Sequence, residues 1–335
     1  MARKTKTINV GLIGCNKRAM WYGAIFGNID PLVYDRLDAV ACHHMRIYGD
    51  DELQIKKATG FRLAKMYDDR AGAAKTIANA FSTKPEACKT LDEVSDNVDL
   101  VFIANESGDG RNHLKLAAPS LRKGVPTFID RPFASRVKDA KAMIALTRRK
   151  RTPLLSCSLL RMLPHTTRFK ARFAELEYVQ RGIVEGQGPN PAHIADGIEL
   201  ALYLFGDEFG GRAHSVQNMG AIPLEMVHLR FVKGKGKSER SIETLIVNSR
   251  ITDHRNSYWV RAMSMGNPID SPPLNMFIQT AGGLEVMNAV KKMIQTGNPV
   301  LSYAAMLESV AVVEGARKAH NKSKPVPVSR LRGLK

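Results

Sequence analysis

The sequence predicts an α/β protein in two parts: an N-terminal doubly wound parallel sheet over residues 1–160, and a C-terminal α+β part over residues 161–335 built on a largely antiparallel open sheet. Three observations lead there. The chain has 335 residues, 44% of them hydrophobic, enough for two cores. Strand-like and helix-like segments alternate through the first half, the pattern of a parallel sheet covered by helices. After residue 160 runs of strands lie between helices, the pattern of an antiparallel sheet.

In order, TINVGLIG (7–14) reads as a buried strand running into a helix, and FRLAKMYD (61–68) as a second strand. RAGAAKTIANAF (70–81) has helical apolar spacing. VDLVFIAN (98–105) is a third strand, RNHLKLAAPSLRKG (111–124) a helix stopping at Gly124, and VPTFID (125–130) a fourth strand. A helix over 136–150 leads to TPLLSCS (152–158), the fifth. Beyond lie helices over 165–181 and 192–206, strands around 226–233, 241–251 and 257–265, and two late helices. Residues 28–59 interrupt the rhythm where a short connection is usual, and read as a lid or an oligomer contact. His43 and His44 within them point to opposite sides of a strand without a clear carboxylate partner, so no metal site is expected.

Composition excludes several classes. No apolar run approaches the length of a membrane span, and the basic start passes into a strand without a signal-peptide core, so a cytoplasmic protein is expected. Cys15, Cys42, Cys88 and Cys157 are scattered without metal-ligand or disulfide-framework spacing and read as thiols. The net charge of +18 attracts anions, and by itself raises an anionic-polymer binder as one reading. Against a nucleic-acid footprint, the basic runs RRKR (148–151) and KGKGK (233–237) read as a helix end and a hairpin tip, with no interleaved aromatics to stack on bases.

A parallel sheet binds ligands at the carboxyl ends of its strands, beside the first strand-to-helix turn. That turn reads Gly14-Cys15-Asn16-Lys17-Arg18-Ala19, in which Gly14 and Ala19 fit the dinucleotide pattern G-x-G-x-x-G/A and Asn16 replaces the middle glycine. Asn can adopt the left-handed conformation, but its side chain occupies space near the phosphates. An ordinary strand-to-helix turn is the alternative. Asp68, ending the second strand, stands where a ribose-binding acid should, or else is an N-cap for the next helix. Arg70 beside it suits a 2′-phosphate, so the cofactor expected is NAD or NADP, with NAD favoured.

With VDLVFIANESGDGRNHLKLAAPSLRKGVPTFIDRPFA in view, the chain resembles the Gfo/Idh/MocA oxidoreductases, sugar and cyclitol dehydrogenases with an N-terminal Rossmann domain. Ala104-Asn105-Glu106-Ser107 stands for that family's A-T-P-N, and eighteen residues separate His113 from Arg131, the spacing there from the helical histidine to the E-K-P lysine. SLLRMLP and the segment GNPVLSYAAMLESVAVVEGARKAHNKSKPVPV extend the likeness over nearly the whole chain. The resemblance implies cofactor-binding positions at Gly14, Asn16, Lys17, Arg18, Ala19, Asp68, Asn105, Glu106, His113 and Asp130, a sugar-like substrate met by Arg131, Arg161 and Glu199, and a homodimer or homotetramer formed through the C-terminal sheet.

The catalytic positions depart from the family. Asp130-Arg131-Pro132 stands for E-K-P, and Asp196 and Glu199 fall on the family's H-x-x-D helix, with His193 one turn earlier as the reserve base. Arginine stays protonated and is a poor acid or base, but its fork can orient a substrate or hold a developing alkoxide. Two readings stay open: Arg131 and Asp196 serve a dehydrogenase pocket, or they form an ion pair in a family member that binds nucleotide or sugar without turnover.

Overall fold

The computed structural model describes residues 7–332 apart from 28–56, 105–107, 188–190, 208–211, 222–223, 235–238, 250–256, 266, 321 and 323. The chain runs through β1 (Ile8–Ile13), α1 (Lys17–Phe26), β2 (Phe61–Tyr67), α2 (Ala73–Ala78), β3 (Glu86–Ala87), α3 (Leu91–Val94), β4 (Leu100–Ile103), α4 (His113–Lys123), β5 (Thr127–Asp130), α5 (Val137–Lys150) and β6 (Leu154–Cys157). These strands form one sheet in the order β3-β2-β1-β4-β5-β6, with every neighbouring pair parallel. The order reverses beside β1, which opens a crevice between the carboxyl ends of β1 and β4. Every residue of β4, β5 and β6 is buried, as strands covered by helices on both faces must be. Phe102 and Phe128 stack at 4.4 Å between centroids, and Tyr22 of α1 leans on Phe102 at 4.7 Å, so the helix that opens the site is fixed to the strands that end in it.

The second half holds α6 (Leu159–Met162), α7 (Pro164–Ala171), a 3₁₀ turn (Arg172–Leu176), β7 (Arg181–Gln187), α8 (Pro191–Leu204), β8 (Ser215–Ala221), β9 (Leu224–Lys233), β10 (Arg240–Ser249), β11 (Tyr258–Met263), β12 (Pro268–Asp270), α9 (Met276–Thr296), α10 (Tyr303–Ala319), β13 (Val326–Pro327) and α11 (Val328–Arg332). The second sheet is ordered β12-β11-β7-β10-β9-β8-β13, and β7 with β10 is the parallel pair among otherwise antiparallel neighbours. α8 packs across β7 and β10, where an added Cβ on Gly197 would lie 2.7 Å from Ile246. This approach carries the polar face of α8 to the end of β6.

The α/β class and the two sheets agree with the expectation. Several elements differ. The helix expected over 165–181 stops at Ala171, because the chain tightens into the 3₁₀ turn and reverses at Glu177 with φ +55°. The helix expected over 70–81 shrinks to α2, since Gly72 enters it left-handed at φ +77°. Strands β7 and β8 were not anticipated. In β7 the glycines that suggest a loop are seats for rings: a Cβ on Gly182 would meet Phe205, and one on Gly186 would meet Tyr258, each at 2.5 Å. The segment 28–59 falls almost wholly outside the described residues, and with it Cys42, His43 and His44; Cys15, Cys88 and Cys157 are free, buried thiols.

Gly14 is the tightest point of the first turn. It has φ +111°, and a Cβ there would stand 2.7 Å from the carbonyl oxygen of Ala104. Gly14→Ala is expected to lower stability by about 1–3 kcal/mol, measured by urea unfolding against the parent.

Candidate functional site

The first half of the site is the crevice at the ends of β1 and β2. Gly14 N–H donates to Tyr67 O at 2.8 Å, which ties the turn to β2. Asn16 is extended, at φ −97° and ψ 176°, not left-handed. Its Oδ1 caps α1 by accepting from Ala19 N–H at 2.9 Å, and its Nδ2 donates to Ala104 O at 3.0 Å. The side chain that replaces the middle glycine thus folds inward and stitches the helix start to the end of β4. Lys17 opens α1, and Ala19 is fully buried where only a small residue fits between helix and strand.

Asp68 is not an N-cap, because α2 is preceded by Gly72 without a side-chain cap. Its Oδ2 accepts from Cys15 N–H at 2.7 Å, and its Oδ1 accepts from Arg70 N–H and Nε, each at 2.9 Å. Arg70 Nη2 reaches on to Cys15 O at 2.9 Å. Burial alone would raise the Asp68 carboxyl, but the Arg70 and Cys15 donors outweigh it and hold the group below its ordinary value, so it is an anion at neutral pH. Gly14, Asn16, Tyr67, Asp68, Arg70 and Asn112 line a cavity of about 300 Å³, the low end of the range for small-molecule sites. A carboxylate fixed at the second strand, an adjacent helix N-terminus and a glycine backbone at the first fit the adenosine half of a dinucleotide.

The second half is a buried chain of alternating charges. Asp130, 2% exposed at the end of β5, accepts from Arg18 Nε at 2.7 Å and Nη2 at 3.2 Å, and from Tyr22 Oη at 3.3 Å. Arg18, expected among the cofactor-binding positions, therefore crosses to the end of β5. Arg131 Nη1 lies 3.5 Å from Asp130 Oδ2, while its Nε faces both oxygens of Asp196, at 3.0 and 2.9 Å. Ser158 Oγ also donates to Asp196, and Ser158 N–H donates to Glu199 Oε2 at 2.5 Å. Asp196 and Glu199 share a face of α8 by their i, i+3 spacing, and Asp196, not His193, meets Arg131. His193 supplies its carbonyl to the Tyr258 hydroxyl at 3.0 Å.

Other expected residues lie around this chain. His113 is buried, and its Nδ1 donates to Phe133 O at 3.2 Å; burial pushes its pKa down, so it is a neutral prop under the Asp130-Arg131-Pro132 turn. Gly110 fits the same turn, where a Cβ would lie 2.8 Å from Pro132 O. Arg161 stacks on the Tyr203 ring at 4.8 Å. Asn105 and Glu106 lie outside the described residues. Sequence reasoning missed Tyr22, Tyr258 and Ser158. Ser158 follows the last residue of a strand, the same signal that singles out Asp130, and could have been found by it.

Fold and site together define a Rossmann protein with a dinucleotide-type crevice. Residues 45–156 match the Gfo/Idh/MocA model, described as an oxidoreductase family with an NAD-binding Rossmann fold. Solved structures agree with the fold along the chain. Myo-inositol 2-dehydrogenase from Lactobacillus plantarum has a TM-score of 0.73 at 10% identity, covering 96% of this chain and 99% of its own. Myo-inositol dehydrogenase from Corynebacterium glutamicum has 0.68 at 14%, covering 96% and 98%. An oxidoreductase from Agrobacterium radiobacter, in complex with NAD+, L-tartaric acid and magnesium, has 0.70 at 13%, covering 97% and 99%. No curated protein matches the chain by sequence. Among the described residues no cluster suited to a metal occurs, and no helix is long and apolar enough to cross a membrane.

Two expected outcomes follow from the buried charges. Arg131→Ala strands Asp196 and should lower stability by about 3–5 kcal/mol, whereas Arg131→Leu with Asp196→Leu should recover much of that loss in the same urea titration. Burial pushes the Glu199 carboxyl from its ordinary 4.5 up to about 7, against the pull of Ser158 N–H and Arg161. Between those values the folded chain keeps a proton that the unfolded chain has released, so Glu199 costs stability increasingly as pH rises to 7. Glu199→Gln should remove that slope and gain up to about 3 kcal/mol over the parent above pH 7, read from unfolding at pH 4 to 8.

Proposed function

We propose that the protein is an NAD(P)-dependent oxidoreductase that exchanges a hydride with a secondary hydroxyl of a sugar-like substrate, with NAD favoured. The single observation that carries this reading is the presence of both the Asp68 cavity and the Arg131–Asp196 contact at the carboxyl ends of the first sheet's strands. Gly14, Asn16 and Ala19 flank the phosphates, and Asp68 takes the ribose hydroxyls. The nicotinamide, when bound, supplies two-electron hydride chemistry. Arg131 is too basic to move a proton, and it orients the hydroxyl and stabilises negative charge on its oxygen. Asp196 takes the hydroxyl proton, with Ser158 and Arg131 holding its carboxylate in place. The outer face of the second sheet, with Met219 and Trp259 part-exposed, supports self-association there.

A second reading is favoured by one observation: both Asp196 oxygens are already engaged, by Arg131 and by Ser158. A carboxylate so occupied suits a family member that binds nucleotide or sugar without turnover.

Calorimetric titration tests the nucleotide part. NAD should bind the parent, and Asp68→Ala should weaken it at least tenfold; no binding of NAD or NADP at millimolar concentration would remove the dehydrogenase and leave only a sugar-binding form of the second reading. Turnover of a panel of cyclitols and aldoses separates them. Activity in the parent supports the dehydrogenase, while activity that emerges only in Arg131→Lys with Asp196→His supports the binding protein.

A further inference from the structure

A groove lies away from this crevice, on the outer surface of the first sheet's helical layer. It runs between α4 and α5 and measures about 710 Å³. Its floor is apolar: Leu114 and Ala118 from α4, and Ala142, Ala145 and Leu146 from α5. Its rims are mainly cationic: Arg111, Lys115 and Arg122 on one side, Arg136 and Arg149 on the other, with the acid Asp139 beside Arg136. Positions 115, 118 and 122 recur every three or four residues and so share one face of α4, with Arg111 just before its start. Positions 139, 142, 146 and 149 do the same on α5.

The rim charge is mostly uncommitted. Arg111 is paired with Asp109, and Arg136 with Asp139 at 3.0 Å. Among the described residues, Lys115, Arg122 and Arg149 have no ion-pair partner. A small anion does not explain the feature, because the rim extends over about 10 Å of α4 from Lys115 to Arg122 and the floor offers it no donor. A phosphate polymer does not explain it either, since no aromatic lines the groove to stack on bases and the alanine floor would stay wet. Small floor residues let another backbone approach closely, and cations on both rims select acids on both sides of what enters.

We propose that the α4–α5 groove is a docking site for an acidic amphipathic helix of a partner protein, seating its apolar stripe on the alanine floor and its flanking carboxylates against Lys115, Arg122 and Arg149. This inference is independent of the dinucleotide reading, and the variants below leave that crevice untouched.

The probe is a fluorescein-labelled helical peptide of about 15 residues, long enough to hold a helix, with leucines at every third and fourth position and glutamates elsewhere. Its anisotropy is titrated with the full chain at 50 and 200 mM salt, beside polyglutamate of equal charge, heparin, and vesicles containing phosphatidylserine. The peptide should bind in preference to all three competitors. Lys115→Glu/Arg122→Glu/Arg149→Glu should weaken it at least tenfold. Ala142→Gln/Ala145→Gln, which keeps every charge, should weaken it several-fold; all five positions are on the surface, and circular dichroism checks that the fold persists. Equal or tighter binding of polyglutamate, heparin or vesicles, or unchanged peptide binding in either variant, would overturn the proposal.

Discussion

The structure depends on one constraint: charges taken out of water must be met by opposite charges, and here Arg18, Asp130, Arg131 and Asp196 meet one another in alternation. Two cations and two anions leave no net charge in the buried chain. They come from three parts of the fold, α1 for Arg18, the end of β5 for Asp130 and Arg131, and α8 for Asp196. The chain therefore fixes the first helix and the α8 helix against the same strand end. Desolvation makes such pairs weak as net stabilisers but severe about geometry, because a displaced member leaves its neighbour uncompensated.

This arrangement also decides what the crevice can do. At the β5 turn a lysine could give up its proton under the influence of burial and neighbours, and an arginine cannot. Charge at that turn is consequently permanent, and Asp130 is held ionised by Arg18 and Arg131 against its burial. The titrating group sits one turn farther along α8, at Glu199, where Ser158 N–H is its nearest donor. Fixed charges at the β5 turn and a titratable acid behind them separate permanent charge from proton affinity.

Much of the fold was legible because its signals are local. The parallel strands are short apolar runs, and Gly124 stops α4 in the left-handed conformation where the sequence marks a stop. The strand-end rule points to Asp130 and Arg131 from the sequence alone. It failed where residues serve distant partners. The glycines of β7 make sense only once Phe205 and Tyr258 are seen standing over them, and Glu177 reverses the chain with no turn signal in its composition.

The sequence by itself determined the two-sheet α/β plan, the position of the first strand-to-helix turn, and the presence of Asp130, Arg131, Asp196 and Glu199 as candidates, because periodicity and strand-end placement are properties of the chain alone. Only the tertiary structure decided which of these meet. Arg18 crosses to Asp130 and Asp196 takes Arg131, since ion pairing between residues 112 and 65 positions apart is set by how helices pack on the sheet, not by neighbours in sequence.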